Sequence, residues 1–246
     1  GVFVMNIEWF NRPMQQMGSG IPADATGLDY VIAWLIHVFV AGTFWTMFSL
    51  LFGMGFVLMS GRIEAAGLSV ERIYLRRMAA LLLFGILHIV LLWPGDILVT
   101  YAVAGVLLMV MRGLSPKWQL LFAAMMLMLP EDLLAEMAAP LVAGAGRAEH
   151  VYPDGGFAAV TMQRVSDYMA IGLQSQVMTV PMALGVFLVG SWLLSGGWLQ
   201  SPAGHRDFWW RLLACTLPPG LAFTAAAVAL GTSFDLGAME PRAVFA

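Results

Sequence analysis

Two ionisable residues stand eight positions apart in an apolar stretch, His88 and Asp96, within RRMAALLLFGILHIVLLWPGDILVTYAVAG, residues 76–105. His88 lies eleven residues after Arg77, so an α-helix rising about 1.5 Å per residue puts it about 16 Å from that basic anchor, near mid-bilayer. An ionisable group at that depth is costly unless it faces the bundle interior or a wet cavity. Two readings fit: a proton acceptor or substrate ligand, since imidazole titrates near neutral pH, or a neutral ring making one interhelical hydrogen bond. Asp96 follows Gly95. It either caps the helix beginning at Ile97 or sets a charge at the mouth of a cavity. Tyr101 is placed to aim its hydroxyl at His88 across the hairpin. Trp93 reads as an interfacial anchor or, alternatively, as a binding platform.

Three further polar residues sit in apolar runs: Asn6 and Glu8 in the first, His37 in the second. Glu8 either reaches water or faces the bundle as a substrate-binding carboxylate. His37 is either interfacial or part of the same site. Gly53 and Gly55, in FSLLFGMGF, allow close backbone approach and are expected to serve packing. Phosphate loops, dinucleotide fingerprints, HExxH and nucleophile elbows are absent from the sequence. Cys215, the single cysteine, excludes an internal disulfide and a cysteine-based zinc site. No metal is expected.

The elements that must position these residues follow from composition. Of 246 residues, 60% are hydrophobic and 11% charged, whereas a soluble domain carries about 25% charge. That chain cannot wet its own exterior, so its surface faces lipid. Net charge is −3 and the 12 basic residues are scattered, which argues against a nucleic-acid partner. The predicted architecture is an all-α, polytopic transmembrane bundle of about seven spans forming one domain over residues 1–246. The opening GVFVMNIEWF reads as the second half of a first span. Val31 to Gly61 has no Asp, Glu, Lys or Arg and would be about 45 Å long as a helix, so it must tilt, kink or begin at the interface. Met78–Pro94 and Ile97–Met111 form a hairpin around WPGD. Trp118–Pro130 is a short fifth span. Residues 147–168 are an external loop or a surface helix. Met169–Leu199 and Leu212–Leu230 complete the set, kinked at Pro181 and at Pro218 and Pro219.

Basic residues set the orientation. Segments 62–77, 112–117 and 200–211 contain Arg62, Arg72, Arg76, Arg77, Arg112, Lys117, Arg206 and Arg211, eight of the 12. They are therefore expected to be cytoplasmic, with the WPGD turn on the outer side of a bacterial inner membrane.

At GVFVMNI, FWTMFSLLFGMGF, the residue 76–105 hairpin and MALGVFLVGSWLLSGGWL, the sequence resembles the YeiB-like family of bacterial inner-membrane proteins, defined by a domain of unknown function. The resemblance spans residues 1 to about 199. It implies a fragment: of the family's initial Arg-Gly segment only Gly1 remains, and its later helices with an Asn-Tyr motif are missing. It implies transport of a small solute through a bundle cavity around His88 and Asp96. The family's distant similarity to transmembrane acyltransferases leaves a second activity open, with His88 as general base and acyl-coenzyme A as cosubstrate. Arg72, Arg76 and Arg77 would then meet the coenzyme phosphates. A third reading is a non-catalytic scaffold. Lipid is the expected partner; substrate and oligomeric state are not set by the sequence.

Overall fold

The computed structural model describes residues 27–36, 42–130, 133–134, 136–138 and 155–229. Among these residues the fold is helical throughout, with no strand. The helices are α1 (Gly27–Ile36), α2 (Gly42–Ala65), α3 (Val70–Leu91), α4 (Leu98–Val110), α5 (Pro116–Leu127), α6 (Phe157–Ser195) and α7 (Arg206–Ala229). By packing, residues 49–196 form one unit, and the flanks before and after them belong to a second, within what the sequence presents as one membrane domain.

Local chemistry explains the boundaries. Ser69 starts α3 by accepting the Arg72 N–H at 3.2 Å. At the other end the His88 carbonyl accepts both the Leu92 and Trp93 N–H groups at 2.9 Å, and Pro94 follows where the helix stops. Asp96 then starts α4, its Oδ2 accepting the Val99 N–H at 2.7 Å. The turn between them is compact because Gly95 has no side chain: a Cβ there would run into the Trp93 indole. Pro116 opens α5 at a position where a missing N–H costs nothing.

Among the described residues, three helices are long and apolar enough to cross a membrane: Thr43–Ala65, Val70–Leu91 and Phe157–Ser195. Leu98–Gly113 is apolar but shorter. Of the over-long second run, the parts in α1 and α2 are described, and residues 37–41 between them lie outside the described part. The segment expected as an external loop or surface helix is helical from Phe157 and continues into the next span, so α6 is 39 residues long. Within it Tyr168–Gly172 is a π-helical turn, and Pro181 lies further along.

In the 49–196 unit, α3 and α4 form the antiparallel hairpin, while α6 packs along α5, α4 and, through its first part, α3. Phe187 stacks on Phe52 at 4.5 Å and meets Tyr101 edge-on at 5.1 Å. Where α2 crosses α6 the backbones touch. A Cβ on Gly53 would strike the Phe187 carbonyl, and one on Gly190 the Leu50 carbonyl. Gly55, grouped with Gly53 by the sequence, has nothing within 4 Å. In the other unit, the Trp198 ring meets His205 at 4.5 Å and Phe208 at 4.3 Å, and Pro218 and Pro219 lie inside α7.

Candidate functional site

The α3–α4 hairpin brings His88 and Asp96 together, His88 Nδ1 standing 3.1 Å from Asp96 Oδ1. Helix α3 runs from Val70 and ends three residues after His88, so the imidazole lies in the last turn, about 4–5 Å from the helix end. Asp96 has a fully buried side chain, whereas His88 is 32% exposed. Nδ1 is itself buried, so the exposed part of the ring lies on its other atoms. The pair is at ion-pair distance but off the line of a hydrogen bond.

Both sequence readings of Asp96 describe part of the geometry. Oδ2 caps α4 through Val99, which leaves Oδ1 for His88. Burial pushes the Asp96 carboxyl above its ordinary range; the Val99 N–H, the His88 charge and the Leu98 N–H pull it back down. Gly85 makes the arrangement sterically possible, since a methyl there would stand 3.0 Å from Asp96 Oδ2 and 2.9 Å from Val99 N.

Tyr101, expected to point at His88, instead turns its hydroxyl toward α2, where it lies 2.6 Å from Ser49 Oγ. Its ring meets the stacked pair of Phe52 and Phe187 edge-on, at 5.4 Å and 5.1 Å. Trp93 is half-buried over Gly95 in the turn. Asn6, Glu8 and His37 lie outside the described residues.

Several neighbours were missed because the sequence search followed charge and histidine. Tyr168, at the π-turn of α6, is within electrostatic reach of Asp96 and bonds Gln176. Gln176 Oε1 accepts from Thr100 Oγ1 at 2.7 Å, and Thr179 Oγ1 is 3.5 Å from the same hydroxyl. Arg164 donates to the Leu91 carbonyl at 3.0 Å, closing the C-terminal end of α3. The legible signal was the run of Gln, Ser and Thr between residues 174 and 179, inside an apolar span. A π-turn beside such residues is a frequent mark of function.

The arrangement suits proton handling. It sets an imidazole within ion-pair distance of a buried carboxylate at one end of the hairpin. No cluster of three or more metal-type ligands occurs among the described residues.

The described part is thus a helical protein with membrane-length apolar helices and a histidine–carboxylate pair at one hairpin end. The chain is similar to "Uncharacterized protein YxaH" of Bacillus subtilis (strain 168), 30% identical over 213 residues, which is 78% of this chain and 53% of that protein. It is also similar to "Uncharacterized 39.9 kDa protein in amylase 3'region" of Bacillus acidopullulyticus, 31% identical over 114 residues, 46% of this chain and 33% of that protein. The chain spans about half the length of the first relative and a third of the second. No family model and no solved structure matches it.

Proposed function

We propose that the chain is the membrane-embedded part of a multi-pass inner-membrane protein of the YeiB-like type that moves or binds a small solute, with His88 and Asp96 as its proton-handling pair. The observation that carries this is the 3.1 Å contact between a partly exposed imidazole and a buried carboxylate. Such a pair is expensive in an apolar bundle and is kept where it works. Tyr168, Gln176, Thr100 and Thr179 extend the polar surface inward from it.

On this reading the bundle has about seven spans, and segments 62–77, 112–117 and 200–211 face the cytoplasm. Support comes from Arg112, which lies 3.0 Å from Glu71 and 3.7 Å from Glu64. These contacts gather the basic ends of α2, α3 and α4 on one side, opposite the WPGD turn.

The test is uptake by proteoliposomes holding the complete protein, against a panel of labelled amino acids, sugars and amines with and without a pH gradient. Gradient-dependent uptake that His88→Ala and Asp96→Asn abolish is expected. Uptake indifferent to His88→Ala refutes the role. The same pair also has the layout of a general base held by a carboxylate, which favours acyl transfer as the second reading. Calorimetric binding of acetyl-coenzyme A, lost when Arg72, Arg76 and Arg77 are replaced together, would select it instead.

A further inference from the structure

Helix α6 meets the α3–α4 hairpin through two bonds that bracket its π-turn. Before the turn, Arg164 Nη1 donates to the Leu91 carbonyl at 3.0 Å; after it, Gln176 Oε1 accepts from Thr100 Oγ1 at 2.7 Å. Tyr168 is one turn beyond Arg164, and Asp96 is one turn before Thr100. The two bonds therefore set Tyr168 toward Asp96, and the two groups are within electrostatic reach of each other.

The phenol has little freedom. In the π-turn the Leu173 N–H reaches back to the Tyr168 carbonyl, and the ring lies against buried Gly172, where a Cβ would run into it. Gln176, whose Oε1 is taken by Thr100, donates through its amide nitrogen to the Tyr168 hydroxyl. The phenol oxygen is an acceptor in that bond, so its own proton is left to give. Asp96 offers the place for it. The carboxyl is fully buried, Oδ2 is taken by Val99, and Oδ1 makes no hydrogen bond, because His88 Nδ1 at 3.1 Å lies off the line. A buried carboxylate oxygen without a donor is costly. The other charged groups of this part of α6 are engaged elsewhere, Arg164 with the Leu91 carbonyl and Asp167 with Gln163 Nε2 at 2.8 Å.

We propose that Tyr168 is the positioning residue of the His88–Asp96 pair, its O–H swinging onto Asp96 Oδ1 as the aligned donor that His88 Nδ1 is not. The assignment rests on the proton-handling reading of that pair. A hydrogen bond to the charged form holds a carboxyl ionised, so Asp96 without Tyr168 keeps its proton to higher pH. The measurement is a pH series of infrared difference spectra on the full chain in detergent, with Asp96→Asn identifying the band of the protonated Asp96 carboxyl. Tyr168→Phe keeps the ring over Gly172 and moves the midpoint of that band up by about one pH unit, a tenfold gain in proton affinity. Gln176→Leu frees the phenol to turn, moves the midpoint the same way by less, and adds nothing in the Tyr168→Phe background. A packing role alone would lower melting temperatures and leave the midpoint where it is. An unmoved midpoint in Tyr168→Phe, a Gln176→Leu shift that adds to it in full, or no titrating Asp96 band overturns the proposal. Uptake enters none of these readings. A shifted midpoint beside uptake indifferent to His88→Ala sinks the transport reading alone, and an unmoved midpoint beside uptake that needs His88 sinks the Tyr168 assignment alone.

Discussion

Alanine at Gly85 presses on the His88–Asp96 pair without altering a titratable group. The new methyl would stand 2.8 Å from Val99 Cγ2, 2.9 Å from Val99 N and 3.0 Å from Asp96 Oδ2, where ordinary contact begins near 3.4 Å. The α3 and α4 backbones must therefore part by about half an ångström, because Val99 N is tied to Asp96 Oδ2 at 2.7 Å and neither can yield alone. Overpacking of this kind costs about 1–3 kcal/mol. Alanine's helix preference over glycine returns at most about 1 kcal/mol. The net loss of about 1–2 kcal/mol lowers the melting temperature by about 2–8 °C in a chain of this size, read by tryptophan fluorescence of detergent-purified protein. Gly55→Ala is the control: nothing lies within 4 Å of that position, so its melting temperature stays level or rises. Adding Val99→Ala to Gly85→Ala removes only the Cγ2 contact and restores part of the loss. A Gly85→Ala protein as stable as Gly55→Ala would refute the packing on which the site geometry rests.

Gly53→Ala and Gly190→Ala should each cost about 1–3 kcal/mol, since both meet backbone carbonyls across the α2–α6 crossing. The double variant should cost less than the two singles together, because one wedge already parts the helices; melting curves of all three test this, and strict additivity counts against it. Arg164→Gln removes the charged donor that the Leu91 carbonyl accepts at 3.0 Å and should cost about 1–2 kcal/mol. Arg164→Lys should keep part of that stability, and equal losses in the two variants would deny the capping role. Asp96, held above its ordinary carboxyl range by burial, binds its proton more tightly folded than unfolded. Stability should fall as pH rises from about 4 through the raised value, and Asp96→Asn should flatten that fall in melting temperature against pH.

How much of this is legible without coordinates depends on what each residue's signal rests on. The hairpin was plain, because long uncharged runs on either side of WPGD leave the chain little else to do. The proximity of His88 and Asp96 follows from that hairpin. The direction of the Tyr101 hydroxyl does not, because it depends on Ser49 of α2. Gly53 and Gly55 look alike in the sequence, and only the path of α6 separates a glycine under a carbonyl from one beside open space. The start of α6 was hidden by the polar residues of 157–167, which a search for apolar spans reads as loop.

The distribution of polarity decides which solvent this fold answers to. Helix α3 turns Leu82, Leu83, Phe84, Ile86, Leu87 and Leu91 outward, while Ser49, Thr100, Asp96, Gln119, Asp167 and Ser191 are buried. A water-soluble bundle would lose stability on both counts, exposing apolar area worth about 25 cal/mol per Å² and burying polar groups that need partners. In lipid the first cost disappears, because acyl chains solvate leucine as well as another leucine does, and close backbone contact with hydrogen bonding becomes the means of association. The glycine crossing of α2 and α6 and the Ser49–Tyr101 and Thr100–Gln176 bonds supply that means. The His88–Asp96 contact at 3.1 Å is not needed for that association, and an ionisable pair that helix packing does not require is the physical ground for proposing function at that end of the hairpin.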